Sequence, residues 1–297
     1  MTKVWKVLGI YREEKYSNRA IEADRAIMDS VLSEIKGMVG DEVIVSSLQP
    51  EQGIERLFKE QFDLIFTMAQ SDEVLNALDA IAEKGTLVVN SSTAIRNCYR
   101  QKLSSLLEDE VFSYPKFSTL VFAQSEHHIF DSAKGYWLKR GDFHALTDDD
   151  VVFAKDHVEI LNLIQQFKQR GVDSVILQEN CEGELFKFYG VCDQFFNIRY
   201  IGKTTTDRYN NPHGNPLIEF DRNRLEKLAH MAARVLNLDY YGGDCIISPT
   251  GQIHFIDFND WPSFRTCRNE VAPIMARYAL TKLNSEVFFD RFSLPRI

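Results

Sequence analysis

Asp244, Asp257 and Asn259 supply two carboxylates and an amide within the stretch YYGGDCIISPTGQIHFIDFNDWPSFR, residues 240–265. Oxygen donors of this kind suit a hard cation such as Mg²⁺, which takes one or two carboxylates together with waters and substrate phosphates. Whether the three converge depends on local structure. Two apolar runs flank Ser248-Pro249-Thr250-Gly251, where Pro pre-sets φ at the second turn position and Gly suits the fourth, so a β-hairpin is expected. Alternation in its second strand places Ile253, Phe255, Asp257 and Asn259 on one face and His254, Ile256 and Phe258 on the other. If Ser248 pairs with Gly251, Asp244 stands opposite Phe255 and diagonal to Asp257, within reach of one ligand. Taken alone, the same stretch also fits a hairpin with a solvated Asp257 and a turn opening at Asn259-Asp260.

The elements that must position these residues read in order. Strands at 4–10, 42–46, 63–67 and 87–90 alternate with helical patterns at 21–37, 54–59 and 73–84, a βαβ series that implies a parallel α/β sheet. No Gly-x-Gly-x-x-Gly follows the first strand, which argues against a dinucleotide site. Arg12, at the end of that strand, is a candidate anion contact or a solvated loop residue. Beyond residue 94 come a helix at 94–107 with Arg96, Arg100 and Lys102, extended pieces at 111–116 and 119–122, and an apolar strand ending in Lys139-Arg140-Gly141-Asp142. A strand near 150–154 leads to a helix capped by Asp156, with the stripe Val158, Leu161, Ile164 and Phe167. The rest reads as strands at 174–179, 185–192 and 195–201, a polar loop at 202–216, a helix at 222–236, the hairpin, and a helix at 268–283.

Composition excludes several classes. With 34 basic and 43 acidic residues the formal charge is −9, unlike the basic footprint that nucleic acid demands. The apolar run at 7–10 is short and is followed at once by Arg12-Glu13-Glu14-Lys15, so no secretory signal is expected, and no apolar stretch approaches a membrane span. Five scattered cysteines without a Cys-x-x-Cys pair fit a reducing, cytoplasmic setting without structural zinc. His127-His128 diverge on any regular element, and Asp148-Asp149-Asp150 is most simply a solvated turn.

From residue 94 the order of parts resembles the ATP-grasp superfamily, which includes D-alanine-D-alanine ligase, glutathione synthetase and biotin carboxylase. The fold implied is an N-terminal parallel α/β domain (1–93) followed by two α+β subdomains (94–180 and 181–297) that hold ATP between them. Lys102 matches an ATP-contacting Lys in a helix, and Lys139 a Lys on the α-phosphate side. The segment Val175-Ile176-Leu177-Gln178-Glu179-Asn180-Cys181-Glu182-Gly183-Glu184 resembles the hinge that reads adenine. By that match Gln178 meets the adenine amino group, Cys181 with Glu179 and Asn180 supplies contacts along the hinge, Glu184 takes the ribose, and Ile256 joins the nucleotide contacts. The hairpin, with Pro262 after Asp-x-Asn, resembles the metal-binding strands, making Asp244, Asp257 and Asn259 the Mg²⁺ ligands. Lys187 lies an odd number of positions after Glu184, so a strand containing Glu184 sends the two to opposite faces, and Lys187 is left out of the site.

Two stretches depart from the family pattern. Arg140-Gly141-Asp142-Phe143-His144-Ala145 has one glycine where the phosphate-covering loop usually has several, and Asp260 to Arg265 is bulkier than usual, with Trp261 and Phe264 as substrate walls or packing. The resemblance implies an ATP-dependent ligase with two Mg²⁺ ions, joining a small-molecule or peptide carboxylate to an amine or thiol through an acylphosphate. Lys139 and Arg265 are then the expected catalytic residues, with Lys203, Arg208 or Arg265 anchoring the acceptor's anion. A kinase of the inositol-phosphate type on the same fold and a nucleotide-binding module without chemistry are the alternatives. No nucleic-acid or membrane partner is expected, and a homodimer is open.

Overall fold

The computed structural model describes residues 3–17, 20–124, 128–203 and 218–292, with backbone alone at 203 and 286–292. His127, Arg208 and the Lys203 side chain, all singled out above, lie outside the described residues. Contacts divide the chain into two units, Met1–Ser92 with Trp261–Ile297, and Thr93–Asp260. Both antiparallel sheets sit in the second unit, and the segment after Asp260 belongs to the first.

In the first unit, β1 (Trp5–Ile10), α1 (Ile21–Val39), β2 (Val43–Leu48), α2 (Arg56–Lys59), β3 (Leu64–Thr67), α3 (Asp72–Ala82) and β4 (Leu87–Val89) follow the expected succession. The four strands form a parallel sheet in the order β2-β1-β3-β4. Its central strand β3 is buried at every position, as a parallel sheet covered on both faces requires. α1 runs past Gly37 and ends at Gly40, whose φ of 67° suits a residue without Cβ. Arg12 is neither solvated nor open to an anion: its Nε lies 3.1 Å from Asp24, and Nη2 donates to the Trp261 carbonyl at 3.0 Å. Glu13 accepts the Gln70 and Ser71 N–H groups at 2.9 and 3.0 Å, capping α3.

The second unit opens with α4 (Ser92–Asn97) and α5 (Arg100–Leu106), separated at Cys98 and Tyr99, where one helix over 94–107 is expected from sequence. Next come β5 (Phe117–Val121), β6 (Tyr136–Arg140), β7 (Val151–Ala154), α6 (His157–Gln169) and β8 (Ser174–Glu179), which build an antiparallel sheet in the order β5-β8-β6-β7. Asp156 caps α6 by accepting the Glu159 N–H at 3.0 Å. The helix buries Ile160, Ile164 and Phe167 and leaves Val158 and Leu161 exposed, so the expected stripe is right in its second half only. Asp150 is fully buried, not solvated: it accepts the Leu146 and Thr147 N–H groups and a 2.7 Å bond from Arg170.

A second antiparallel sheet, ordered β10-β9-β11-β12, is made by β9 (Glu184–Val191), β10 (Phe195–Lys203), β11 (Tyr240–Ile247) and β12 (Ile253–Asp260), with α7 (Arg222–Val235) against one face. Asp221 caps α7 through the Arg224 N–H at 3.0 Å. The core between them is aromatic, with Phe188 at its centre, 4.9 Å from the Phe258 ring and 5.5 Å from that of Phe255.

After Asp260 the chain rejoins the first unit, where α8 (Arg268–Phe292) packs along α1. Trp261 and Phe264 are fully buried, and Trp261 meets Phe66 edge to face at 5.6 Å. Both adopt positive φ (36° and 45°), a conformation costing on the order of 1–3 kcal/mol that persists where surrounding packing over-determines it. Their fate is packing.

Candidate active site

The hairpin forms with a register shifted from the expected one. Ser248 N–H donates to Gln252, Ile247 pairs with Ile253 and Cys245 with Phe255, and then a bulge intervenes so that Asp244 stands directly opposite Asp257. One extra residue, Ile256, resets the alternation. Phe255 and Phe258 therefore both enter the aromatic core, while Asp257 and Asn259 take the other face, so Phe255 does not share a face with Asp257 as expected. The bulge also frees the Ile256 carbonyl from the ladder. It accepts the Lys139 ammonium at 2.7 Å, joining β6 of one antiparallel sheet to β12 of the other inside a single unit.

Two aspartates directly opposite one another repel. Three cations offset this. Arg100 Nη2 lies 3.3 Å from Asp257, and its Nη1 is held 3.4 Å from the Arg140 carbonyl. Lys139 is only 4% exposed, and Lys187 sits 2.9 and 3.2 Å from the two oxygens of Asp244. Burial pushes the Asp257 carboxyl upward, but Arg100 first, then Lys139, outweigh it and hold that carboxyl below the usual range. The carboxylate of Asp244 pushes the Lys187 ammonium upward against burial, so it keeps its proton.

Arg100 and Lys187 are the residues that sequence reasoning missed. Lys102, its choice on this helix, is exposed; the break at Cys98-Tyr99 instead makes Arg100 the first residue of α5, in line with buried Ser104. Nothing in the apolar pattern signals that break. Lys187 had a signal: β9 does include Glu184, so the two residues face opposite ways, but the face that matters is that of Lys187, paired in register with Asp244. Glu184 is buried on the Phe186 side, where Oε2 accepts the Ile218 N–H at 3.3 Å. Arg265 is exposed and belongs to the first unit.

At the other end of the cleft, β8 presents Gln178 on the same face as Ile176 while Val175 and Leu177 enter the core. Gln178 is 1% exposed, and among the described residues its Nε2 makes no hydrogen bond of good geometry, although its side chain acts on the Tyr114 phenol. A buried amide donor left unpaired costs roughly 1–3 kcal/mol, which a ligand acceptor recovers. Tyr114 is beside it, bonded to Ser104 at 3.0 Å, its phenol pushed up to about 12 by burial. Asn180 is spent on structure, accepting from the Trp137 indole at 2.9 Å and donating to the Lys134 carbonyl at 3.1 Å, and Glu179 accepts from Ser132 at 3.0 Å. Burial pushes the Cys181 thiol up to about 11, so it stays protonated near neutrality. Glu179, Cys181 and His254 line a hollow of about 420 Å³ at this end.

Two four-stranded antiparallel sheets in one unit and a parallel α/β sheet in the other are the parts of the ATP-grasp fold, and this chain has it. No protein-family model and no curated protein matches the sequence. Solved structures do match: D-alanine–D-alanine ligase from Bacillus anthracis complexed with ATP is 12% identical over 97% of this chain and 98% of that one, with a TM-score of 0.68. The VanG D-Ala:D-Ser ligase from Enterococcus faecalis is 12% identical over 96% and 99%, with a TM-score of 0.64. The ATP-grasp ligase PsnB, complexed with a minimal precursor, is 13% identical over 95% and 100%, with a TM-score of 0.60. Among the described residues no helix is long and apolar enough to cross a membrane.

Proposed function

We propose that this protein is an ATP- and Mg²⁺-dependent ligase that activates a small-molecule or peptide carboxylate for attack by an amine. The observation that carries this is the bulged hairpin, which sets Asp244 against Asp257 on the face where Lys139 and Arg100 arrive. The fold shared with a ligase complexed with ATP supports it.

The donor set fits Mg²⁺: two carboxylates and an amide oxygen, all hard, with no sulfur or imidazole among them. Asp244, Asp257 and Asn259 would hold the ion, which when bound neutralises phosphate oxygens. Gln178 offers its Nε2 and the Cys181 backbone its polar groups to the adenine edge. Lys139 and Arg100 draw phosphate oxygens to the cleft floor. In the reaction, an acceptor carboxylate oxygen bonds to the γ-phosphorus as the bond to the bridging oxygen breaks and ADP leaves. The amine nitrogen then bonds to the acyl carbon, inorganic phosphate departs and the amine gives up a proton. The protein's part is positioning and charge compensation, and positioning alone lowers such barriers by roughly 7–11 kcal/mol.

The test is ADP release from pools of carboxylates, amines and polyols. ADP formation that requires both a carboxylate and an amine, and that Asp257→Ala abolishes, is expected. ADP formation with phosphate retained in a stable polyol product would replace the ligase with a kinase, and no ADP from any pool would favour a binding module.

A further inference from the structure

Four side chains lie in one cross-strand row on the cleft face: Arg199 pairs with Lys187, Lys187 with Asp244, and Asp244 with Asp257. Each carboxylate is closed by a cation, but the two closures differ. The Arg100 side chain is 5% exposed, sits at the start of α5 and is also held at the Arg140 carbonyl, so its guanidinium is enclosed beside Asp257. Lys187 is half-buried, its side chain 39% exposed, and spans both oxygens of Asp244 from a flexible four-carbon stem. Among the described residues the cleft also keeps a buried donor, Arg100 Nε, without a partner, and Gln178 Nε2 makes no hydrogen bond of good geometry, which points independently to a ligand here.

We infer that Lys187 is a tethered competitor for the divalent cation, occupying Asp244 until the cation displaces it. This rests on the metal reading of Asp244, Asp257 and Asn259. With Lys139, which also acts on Asp257, the three cations outnumber the carboxylates of Asp244 and Asp257 by one, so a dication meets carboxylates that are already compensated. It gains Asp244 only as the ammonium withdraws, and the free ammonium then stands beside exposed Arg199. Lys187 is thus a positioning residue: it holds Asp244 in place and keeps it from binding metal until the charge that replaces it has arrived.

The experiment is Mn²⁺ binding, without nucleotide, by calorimetry and by the Mn²⁺ electron-spin signal, on the full chain, Lys187→Met, Lys187→Arg and Asp257→Asn. Lys187→Met should bind Mn²⁺ about tenfold more tightly, the worth of one charged hydrogen bond removed from the competition. Lys187→Arg should stay near wild type. In EDTA Lys187→Met should melt below wild type yet gain more from Mn²⁺; a purely structural lysine would lower the melting point without enlarging that gain. Equal or weaker Mn²⁺ binding by Lys187→Met overturns the inference. If wild type then still binds Mn²⁺ and Asp257→Asn does not, the metal reading survives its failure; if neither wild type nor Lys187→Met binds, both fall.

Discussion

Arg100→Met keeps an aliphatic stem in the cleft and removes the charge facing Asp257. At the observed 3.3 Å, two unit charges attract by about 5 kcal/mol at an effective dielectric constant near 20. Desolvating both groups offsets much of this, so the pair itself adds little. Removing one partner is different, because it leaves a buried carboxylate short of compensation at a cost of about 3–5 kcal/mol. Lys139 and Lys187 also act on Asp257, so a loss at the lower end, about 3 kcal/mol, is expected. For a unit of this size that lowers Tm by roughly 6–12 °C. The pH dependence has a definite sign. A carboxyl held below its unfolded value contributes stability that is present above about pH 4 and is lost as pH falls through the folded value. Without Arg100 the Asp257 carboxyl rises, and the acid limb of unfolding moves to higher pH. Arg100→Met/Asp257→Asn should recover about 2 kcal/mol relative to the sum of the single variants, since a neutral amide needs no counter-charge. Denaturant unfolding of all four proteins between pH 3 and pH 8 measures this. A loss below about 1 kcal/mol for Arg100→Met, or strict additivity in the double variant, would refute the assignment of Arg100 as the structural counter-charge.

Other perturbations test separate parts of the molecule. Phe188→Ala should cost about 3–5 kcal/mol in denaturant unfolding, because its ring meets those of Phe255 and Phe258 in a closed core. Asp150→Ala should cost about 3 kcal/mol by stranding Arg170 and two backbone N–H groups. Burial raises the Asp150 carboxyl, but the bonds from Thr147 and Arg170 hold it below the usual range. The wild type should therefore lose stability as pH falls through that lowered value, and the variant should show a flatter acid limb. Cys181, with its thiol pushed up to about 11, should resist iodoacetamide at pH 8; rapid alkylation seen by mass spectrometry would contradict that. ATP with Mg²⁺ at about 100-fold over Kd should stabilise the protein by about 2.7 kcal/mol, and no thermal shift at millimolar nucleotide would count against a nucleotide site.

The parallel half was legible because each βαβ step is written in local periodicity. β8 is found at its expected bounds, and Asp156 caps the helix that follows it, since capping needs only neighbours three residues away. The hairpin was legible as a hairpin. Its register was not, because one extra residue at Ile256 leaves no mark in a pattern of alternating apolar and polar side chains. Asp150 reads as a solvated turn residue because its partner Arg170 lies twenty residues away across a helix.

By itself the sequence determined most of the strand and helix order, the Asp156 cap, and the presence of two carboxylates and an amide on one short hairpin. Tertiary structure alone decided that Asp244 and Asp257 stand opposite one another, that Arg100 and Lys187 rather than Lys102 share their face, and that Trp261 and Phe264 pack inside the first unit. The reason is range: periodicity reports which way a side chain points along its own element, whereas bulges, helix breaks and ion pairs are selected by atoms distant in sequence.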